Sequence, residues 1–279
     1  MLDKIVRIKA IRELGSRNYL VTLRAPEQAR LVRPGQFFML KCAGGLDDLP
    51  LLRRPFTVFN VYRLPNSGRP AGLELLVKDV GTGSGKLVRM QAGQALCCLG
   101  PQGRGFQISA GMKNRLEIAC LVAGGVGIAP LYLLAEELMR QNIRPVLFYG
   151  GAAAADLVLR ESFEQLGMDT CYTTEDGSLG ERGLVTAPLA QYLDKQGRRN
   201  IRVYACGPWG MMRAVHQLSA RKTIPCEVSL EARMGCSLGA CLGCVVRSRT
   251  GSGQEQYLRV CQEGPVIDSR LIDWETAPL

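Results

Sequence analysis

Four cysteines are spaced for metal chemistry. Cys236, Cys241, Cys244 and Cys261 follow the pattern C-x4-C-x2-C-x16-C. Three thiols this close cannot all turn inward from a regular helix or strand, so they call for a loop wrapped around a compact inorganic group. Their order is the plant-type ligand pattern of a 2Fe–2S cluster. Gly235, Gly239 and Gly243 lie between the ligands. Glycine there tolerates positive φ and lets backbone N–H groups approach the sulfurs. Structural zinc and disulfides are the competing readings. Zinc favours paired short hooks, and Cys261 has no second cysteine near it.

Two earlier stretches carry groups suited to phosphate. Arg53-Arg54-Pro55-Phe56-Thr57 offers an arginine fork that fits pyrophosphate, and the Thr57 hydroxyl suits a ring nitrogen. An arginine ahead of a strand is, equally, an ordinary solvated side chain. Gly81-Thr82-Gly83-Ser84-Gly85 opens a helix and exposes backbone N–H groups to an anion, or it is a plain flexible turn. Two further glycine stretches, Gly124-Gly125-Val126-Gly127 and Cys206-Gly207-Pro208, each follow an apolar run. The first is not G-x-G-x-x-G, so it is no generic dinucleotide fingerprint. His216, the one histidine, falls mid-helix and is expected to be structural. No Ser/His/Asp arrangement or hydrolase metal motif is present.

These groups need scaffolds. Residues 1–104 read as short strands: Ile5–Ile8, Tyr19–Leu23, Gln36–Leu40, Pro55–Tyr62 and Leu73–Val80, with a hairpin turn at Pro65–Gly68. Such spacing predicts a small antiparallel barrel. From about residue 115 the pattern becomes strand, helix, strand. Ile118–Ala123 is a fully apolar strand, followed by a helix over Ile128–Gln141 with Pro130 in its first turn. Strands Pro145–Tyr149, Asp169–Thr173 and Ile201–Cys206 alternate with helices Val158–Leu166, Leu184–Asp194 and Trp209–Ala220. That alternation predicts a parallel sheet, with ligands at its carboxyl ends.

The 279 residues suffice for two domains and a small third. Thirty-five Lys and Arg against 25 Asp and Glu give a net charge of +10, suited to anions or an acidic protein partner. The basic residues are scattered without interleaved aromatics, which argues against nucleic acid. Ile118–Ala135 is eighteen residues without a charge, yet its glycines and Pro130 argue against a membrane span. Met1-Leu2-Asp3-Lys4 runs directly into a strand, so no leader is expected. Eleven cysteines, several in apolar runs, fit a reducing cytoplasm.

Taken in order, Arg54-Pro55-Phe56-Thr57, Gly83-Ser84, Gly124-Gly125-Val126-Gly127-Ile128-Ala129-Pro130 and Cys206-Gly207-Pro208 resemble the ferredoxin–NADP reductase superfamily. The cysteine stretch narrows the resemblance to the electron-transfer subunits of type-B dihydroorotate dehydrogenase. Ser229-Leu230-Glu231, Arg233-Met234, Thr174–Ser178 and Glu263–Val266 agree with it. The resemblance implies an FAD-binding β-barrel over 1–106, an α/β pyridine-nucleotide domain over 107–228 and a 2Fe–2S domain over 229–279. It implies that Arg54, Pro55, Phe56, Thr57, Leu76, Val77, Lys78, Gly83 and Ser84 meet FAD. Gly124, Gly125, Gly127, Cys206, Gly207 and Pro208 would meet NAD, and the four cysteines the cluster. Lys78 stands where the family often has arginine. It further implies an FMN-containing dihydroorotate dehydrogenase partner, two of each chain in a heterotetramer, and electron flow to NAD⁺ in pyrimidine biosynthesis. A ferredoxin-linked NAD(P)H oxidoreductase or a hydrogenase diaphorase subunit is the alternative. NAD is expected over NADP, because Gly150–Asp156 offers no cation or hydroxyl for a 2′-phosphate; Arg160 is the nearest that could supply one.

Overall fold

The computed structural model describes residues 1–42, 50–108, 116–197, 199–249 and 256–276. Six strands form a closed antiparallel barrel: β1 (Leu2–Gly15), β2 (Asn18–Arg24), β3 (Phe37–Lys41), β4 (Arg54–Arg63), β5 (Pro70–Lys78) and β6 (Ala95–Gln102). They close in the order β1-β2-β5-β4-β3-β6. Alternation fills the interior: Leu73, Leu75 and Val77 of β5 point inward with Val21, Leu23, Phe38 and Leu40. Leu76 points outward and packs against the rest of the molecule. Two short helices, α1 (Pro26–Ala29) and α2 (Thr82–Val88), decorate the barrel.

The amino-terminal strand differs from its expectation. It is one strand of 14 residues rather than a short run at Ile5–Ile8. Its first half pairs with β6 and its second with β2. The register shifts between Ile8 and Ala10, and such a bulge bends the strand and breaks its period.

The second layer is a seven-stranded sheet. Its parallel strands are β7 (Ile118–Gly124), β8 (Arg144–Gly151), β9 (Asp169–Thr174), β10 (Glu181–Arg182), β11 (Ile201–Cys206) and β12 (Cys226–Ser229). The main helices are α3 (Leu131–Arg140), α4 (Arg160–Glu164), α5 (Thr186–Lys195) and α6 (Trp209–Arg221). The change of pattern expected near residue 115 lies outside the described residues. Every residue of β7 is buried, as its continuous apolarity demands. Pro130 caps α3 from outside, and a 3₁₀ turn over Gly125–Ile128 precedes it. Helix therefore begins at Leu131, not at Ile128.

Past the cysteines, β13 (Val245–Ser248) and β14 (Gln256–Arg259) form a hairpin, and β15 (Val266–Asp268) pairs antiparallel with β12. The sheet order is thus β10-β9-β8-β7-β11-β12-β15. The same carboxyl-terminal segment is tied both to the end of the barrel and to the loop after β12. Arg104 N–H donates to Gly264 O at 2.5 Å, and Leu230 N–H to Pro265 O at 2.9 Å. Buried Trp274 donates to Ser269 O at 2.8 Å and packs on Trp209 of α6. His216 meets Ser269 Oγ at 2.9 Å and stacks on Trp274. Among the described residues no helix is long and apolar enough to cross a membrane.

Candidate functional site

A cleft of about 870 Å³ opens where barrel, sheet and cysteine loop meet. The barrel contributes Arg54, Pro55, Phe56 and Thr57 of β4, with Leu76 and Lys78 of β5. The sheet contributes Val126, Ala129 and Pro130, from the loop after β7. Leu230–Gly235 and Gly243 close the third side. Of the barrel residues expected at the flavin, Val77 turns its side chain into the barrel core, and Phe56 packs against that core as well as lining the cleft.

The arginine pair divides. Arg53 is held bidentately by Asp3, with both contacts at 2.8 Å. Arg54 donates to Leu52 O at 2.9 Å and turns toward the cleft. Gly83 permits this: a Cβ there would stand 3.0 Å from Arg54 Cγ. The Ser84 hydroxyl closes its own turn, accepting from Val80 N–H at 3.0 Å and Gly81 N–H at 3.2 Å. Gly83 and Ser84 therefore shape the wall behind Arg54.

The sheet order reverses between β7 and β11, which is where open α/β sheets bind ligands. Both glycine loops sit at that point and interlock. A Cβ on Gly127 would lie 2.3 Å from Cys206 O, and one on Gly124 would lie 2.7 Å from Pro208 Cδ. Gly125 has φ +53, the left-handed region. Cys206 is buried, and its thiol is pushed up by burial first and the Glu231 charge second. A smaller crevice of about 520 Å³, by Met139 and Gly167, lies at the opposite end of the sheet. Its charges are spent on the Arg144–Asp169 pair, with Nε to Oδ2 at 3.0 Å.

After β8, Asp156 turns back on its own backbone, accepting from Ala153 N–H at 3.2 Å. Ser178 Oγ accepts from Ala154 N–H at 2.8 Å and ties this loop to the one after β9. Arg160 is engaged by Glu161 at 3.3 Å.

The cysteines form two pairs. Leu238 N–H and Cys241 N–H each point at Cys236 Sγ from 3.3 Å, and Cys236 N–H points at Cys241 Sγ from 3.5 Å. The Leu238 N–H, then the Cys241 N–H, hold the Cys236 thiol down at about 6. Cys244 and Cys261 are buried free thiols, hydrogen-bonded to one another; burial first, and the neighbouring Cys244 next, push Cys261 up to about 11. Val260 N–H donates to Cys244 O at 3.0 Å and holds the pair together. Among the described residues no three such donors close on a single point. Two thiol pairs, one dressed with N–H donors, fit a two-iron centre better than one tetrahedral ion. Only Gly239 of the three loop glycines has positive φ, at +80. Gly235 and Gly243 instead make room for Cys241 Sγ, which would be 3.3 and 3.7 Å from their Cβ atoms. Ser237 and Leu242 take the other left-handed positions.

Residues 231–273 match a family model described as the iron–sulfur cluster binding domain of dihydroorotate dehydrogenase B. Residues 121–217 match an oxidoreductase NAD-binding domain. A curated relative from Desulforamulus reducens, the electron transfer subunit of dihydroorotate dehydrogenase B (NAD(+)), is 36% identical over 96% of this chain and 97% of its own. One of the same name from Caldanaerobacter subterraneus is 35% identical over 94% of each. The chain belongs to this family. The electron-transfer subunits of dihydroorotate dehydrogenase B therefore include a chain whose barrel, sheet and cysteine loop share one cleft. An NADH-dependent reduced ferredoxin–NADP oxidoreductase structure superposes with a TM-score of 0.81 at 25% identity, covering 98% of this chain and 91% of its own. A Neisseria gonorrhoeae ferredoxin NADP⁺ reductase, solved with FAD and NADP, gives 0.63 at 17% over 78% and 91%. It shares the fold. The protein is thus an electron-transfer oxidoreductase subunit with an NAD-binding domain and an iron–sulfur cluster binding domain.

Three residues of the site carried no assigned role in the sequence reading. Glu231 lines the cleft, and desolvation raises its carboxyl above the ordinary range. Solvent reaches it through the cleft mouth while protein surrounds it elsewhere. Its signal was an acid set among apolar residues before the cysteines. Arg259 and Glu263, which flank Cys261, form a pair at 2.6 Å. Their four-residue spacing gave no hint, because Arg259 ends a strand and Glu263 lies in the turn after it rather than both on a helix.

Proposed function

We propose that this chain takes electrons from a partner subunit that oxidises dihydroorotate on its own FMN, and delivers them to NAD⁺. The observation that carries this is the single cleft walled by the Arg54–Thr57 strand, the loop after β7 and the residues flanking Cys236 and Cys244. When bound, the cluster would pass single electrons and the flavin would pair two of them for hydride transfer.

The residues divide that work. Arg54, with Pro55, Phe56, Thr57, Leu76 and Lys78, would hold FAD, and Gly83 and Ser84 would brace Arg54. Gly124, Gly125, Gly127, Cys206, Gly207 and Pro208 would receive the nicotinamide nucleotide at the sheet's reversal point. Cys236 and Cys241 would hold one iron, Cys244 and Cys261 the other. Three functional units, 1–106, 107–228 and 229–279, serve these roles, the last anchored to the second through β15. A heterotetramer of two chains of each kind and a cytoplasmic location fit this reading; the seven cysteines outside the cluster ligands stand as free thiols, which favours a reducing compartment.

The test is reconstitution with the FMN subunit. Dihydroorotate-dependent NADH formation should need both chains, and NADH-dependent dye reduction should need this chain alone. Dye reduction without any coupling to dihydroorotate, together with reduction of a ferredoxin, would favour the ferredoxin-linked alternative. The ratio of kcat/KM for NADH and NADPH should favour NADH, since Asp156 and Arg160 are both engaged within the protein.

A further inference from the structure

The segment after β14 carries more than the fourth cysteine. Arg259 is the last residue of β14, opposite Val245, which itself follows Cys244. Its Nε and Nη2 donate to the Glu263 carboxylate at 3.1 and 2.6 Å. Glu263 also accepts from Arg259 N–H at 2.7 Å. The remaining guanidinium nitrogen, Nη1, crosses to Gly239 O at 3.3 Å. Gly239 stands between Cys236 and Cys241 in the chain, and a Cβ there would come within 3.2 Å of that nitrogen and 2.8 Å of Gln262 Cγ. Gln262 Nε2 reaches Ser237 O at 3.4 Å beside it. One cation and one anion, placed two residues either side of Cys261, are therefore clasped onto the loop of the other cysteines.

We propose that the Arg259–Glu263 pair sets the reduction potential of the iron–sulfur centre while fastening Cys261 to the loop of Cys236 and Cys241. The proposal rests on the cluster assignment. The one-electron couple adds a negative charge to the centre. A nearby guanidinium favours that reduced form and a nearby carboxylate opposes it. The guanidinium crosses to Gly239 O at 3.3 Å, inside the Cys236–Cys241 loop, and Arg259 and Glu263 bracket Cys261, so both charges stand beside the ligands of the centre. The Arg259 and Glu263 side chains are 41% and 29% exposed, so solvent screens both and the effects are modest.

The experiment is a potentiometric titration of the purified holoprotein, followed by the EPR signal of the reduced cluster, at matched iron content. Arg259→Gln should lower the reduced-to-oxidised ratio at fixed potential by up to about tenfold, a shift of about 59 mV negative for a one-electron couple. Glu263→Gln should shift it positive. Arg259→Lys keeps the charge and loses the fork, so its potential should stay near wild type while a chelator strips its iron faster. Opposite shifts in Arg259→Gln and Glu263→Gln support the proposal. Unchanged potentials, or shifts of one sign, overturn it and leave the pair a fastening alone. If Arg259→Gln does not assemble, Glu263→Gln decides: a potential that fails to rise overturns the proposal. A wild-type protein without iron would instead overturn the cluster assignment, which is a separate result.

Discussion

At Cys236 the backbone does what a neighbouring cation does elsewhere. Two N–H groups at 3.3 Å stabilise the thiolate, the form that ligates metal. They draw its titration from 9.0 down to about 6. The sign follows: this stabilisation is complete above the ordinary thiol range and is lost as pH falls through about 6. In cluster-free protein, iodoacetamide should label Cys236 rapidly at pH 7, with a half-maximal rate near pH 6, read by peptide mass spectrometry. A midpoint near 9 would mean that the N–H groups do not face the sulfur in solution. Arg54 is the second decisive residue. Removing a charged hydrogen-bonding partner of the flavin costs about 1.5–3 kcal/mol. Arg54→Ala should therefore weaken FAD retention about tenfold to a hundredfold, measured by flavin release on gel filtration. Retention equal to wild type would move the phosphate contact elsewhere.

At the scale of elements, the glycine loops after β7 and β11 are one object. Gly127→Ala drives a methyl into the Cys206 carbonyl, a backbone atom that cannot swing aside. Overpacking of this kind costs about 1–3 kcal/mol. A lowered Tm together with a raised KM for NADH is expected, and an unchanged KM would show that the loops do not meet the nucleotide. Much of this scaffold was legible. Ile118–Ala123 reads as a buried strand from its unbroken apolarity, and the evenly spaced short strands suggest a barrel. Less legible was what depends on contacts distant in sequence. The bulge at Ile8–Ala10 made β1 read as a fragment. The three residues of β15 are too few to carry a period, and only pairing with β12 makes them a strand. Arg53 looked like half of a phosphate fork until Asp3, fifty residues away, claimed it. The cysteine ligands were legible because spacing alone constrains them; the reasons for Gly235 and Gly243 were not, since close approach to a sulfur leaves no mark in the sequence.

For the whole molecule the open question is where electrons enter. Cys241 is exposed, and it is flanked by Leu238 and Leu242, which are 54% and 58% exposed. We expect a partner to cover these leucines, which stand around a cysteine read as a cluster ligand. The net charge of +10 adds long-range attraction to an acidic partner, which salt weakens. The two contributions separate experimentally. Leu238→Ser with Leu242→Asn removes apolar surface without adding charge, and asparagine tolerates the φ of +57 that Leu242 adopts. Neither change touches the flavin wall, so NADH-dependent dye reduction should hold. Burying a leucine is worth about 1.5–3 kcal/mol, and these two are already half covered. Partner affinity should therefore fall about tenfold or more, seen as a higher concentration of the FMN subunit needed for dihydroorotate-dependent NADH formation. Raising ionic strength should slow association of wild type and variant alike, because charge and apolar contact act independently. Full coupling in the variant would place the entry point on another face.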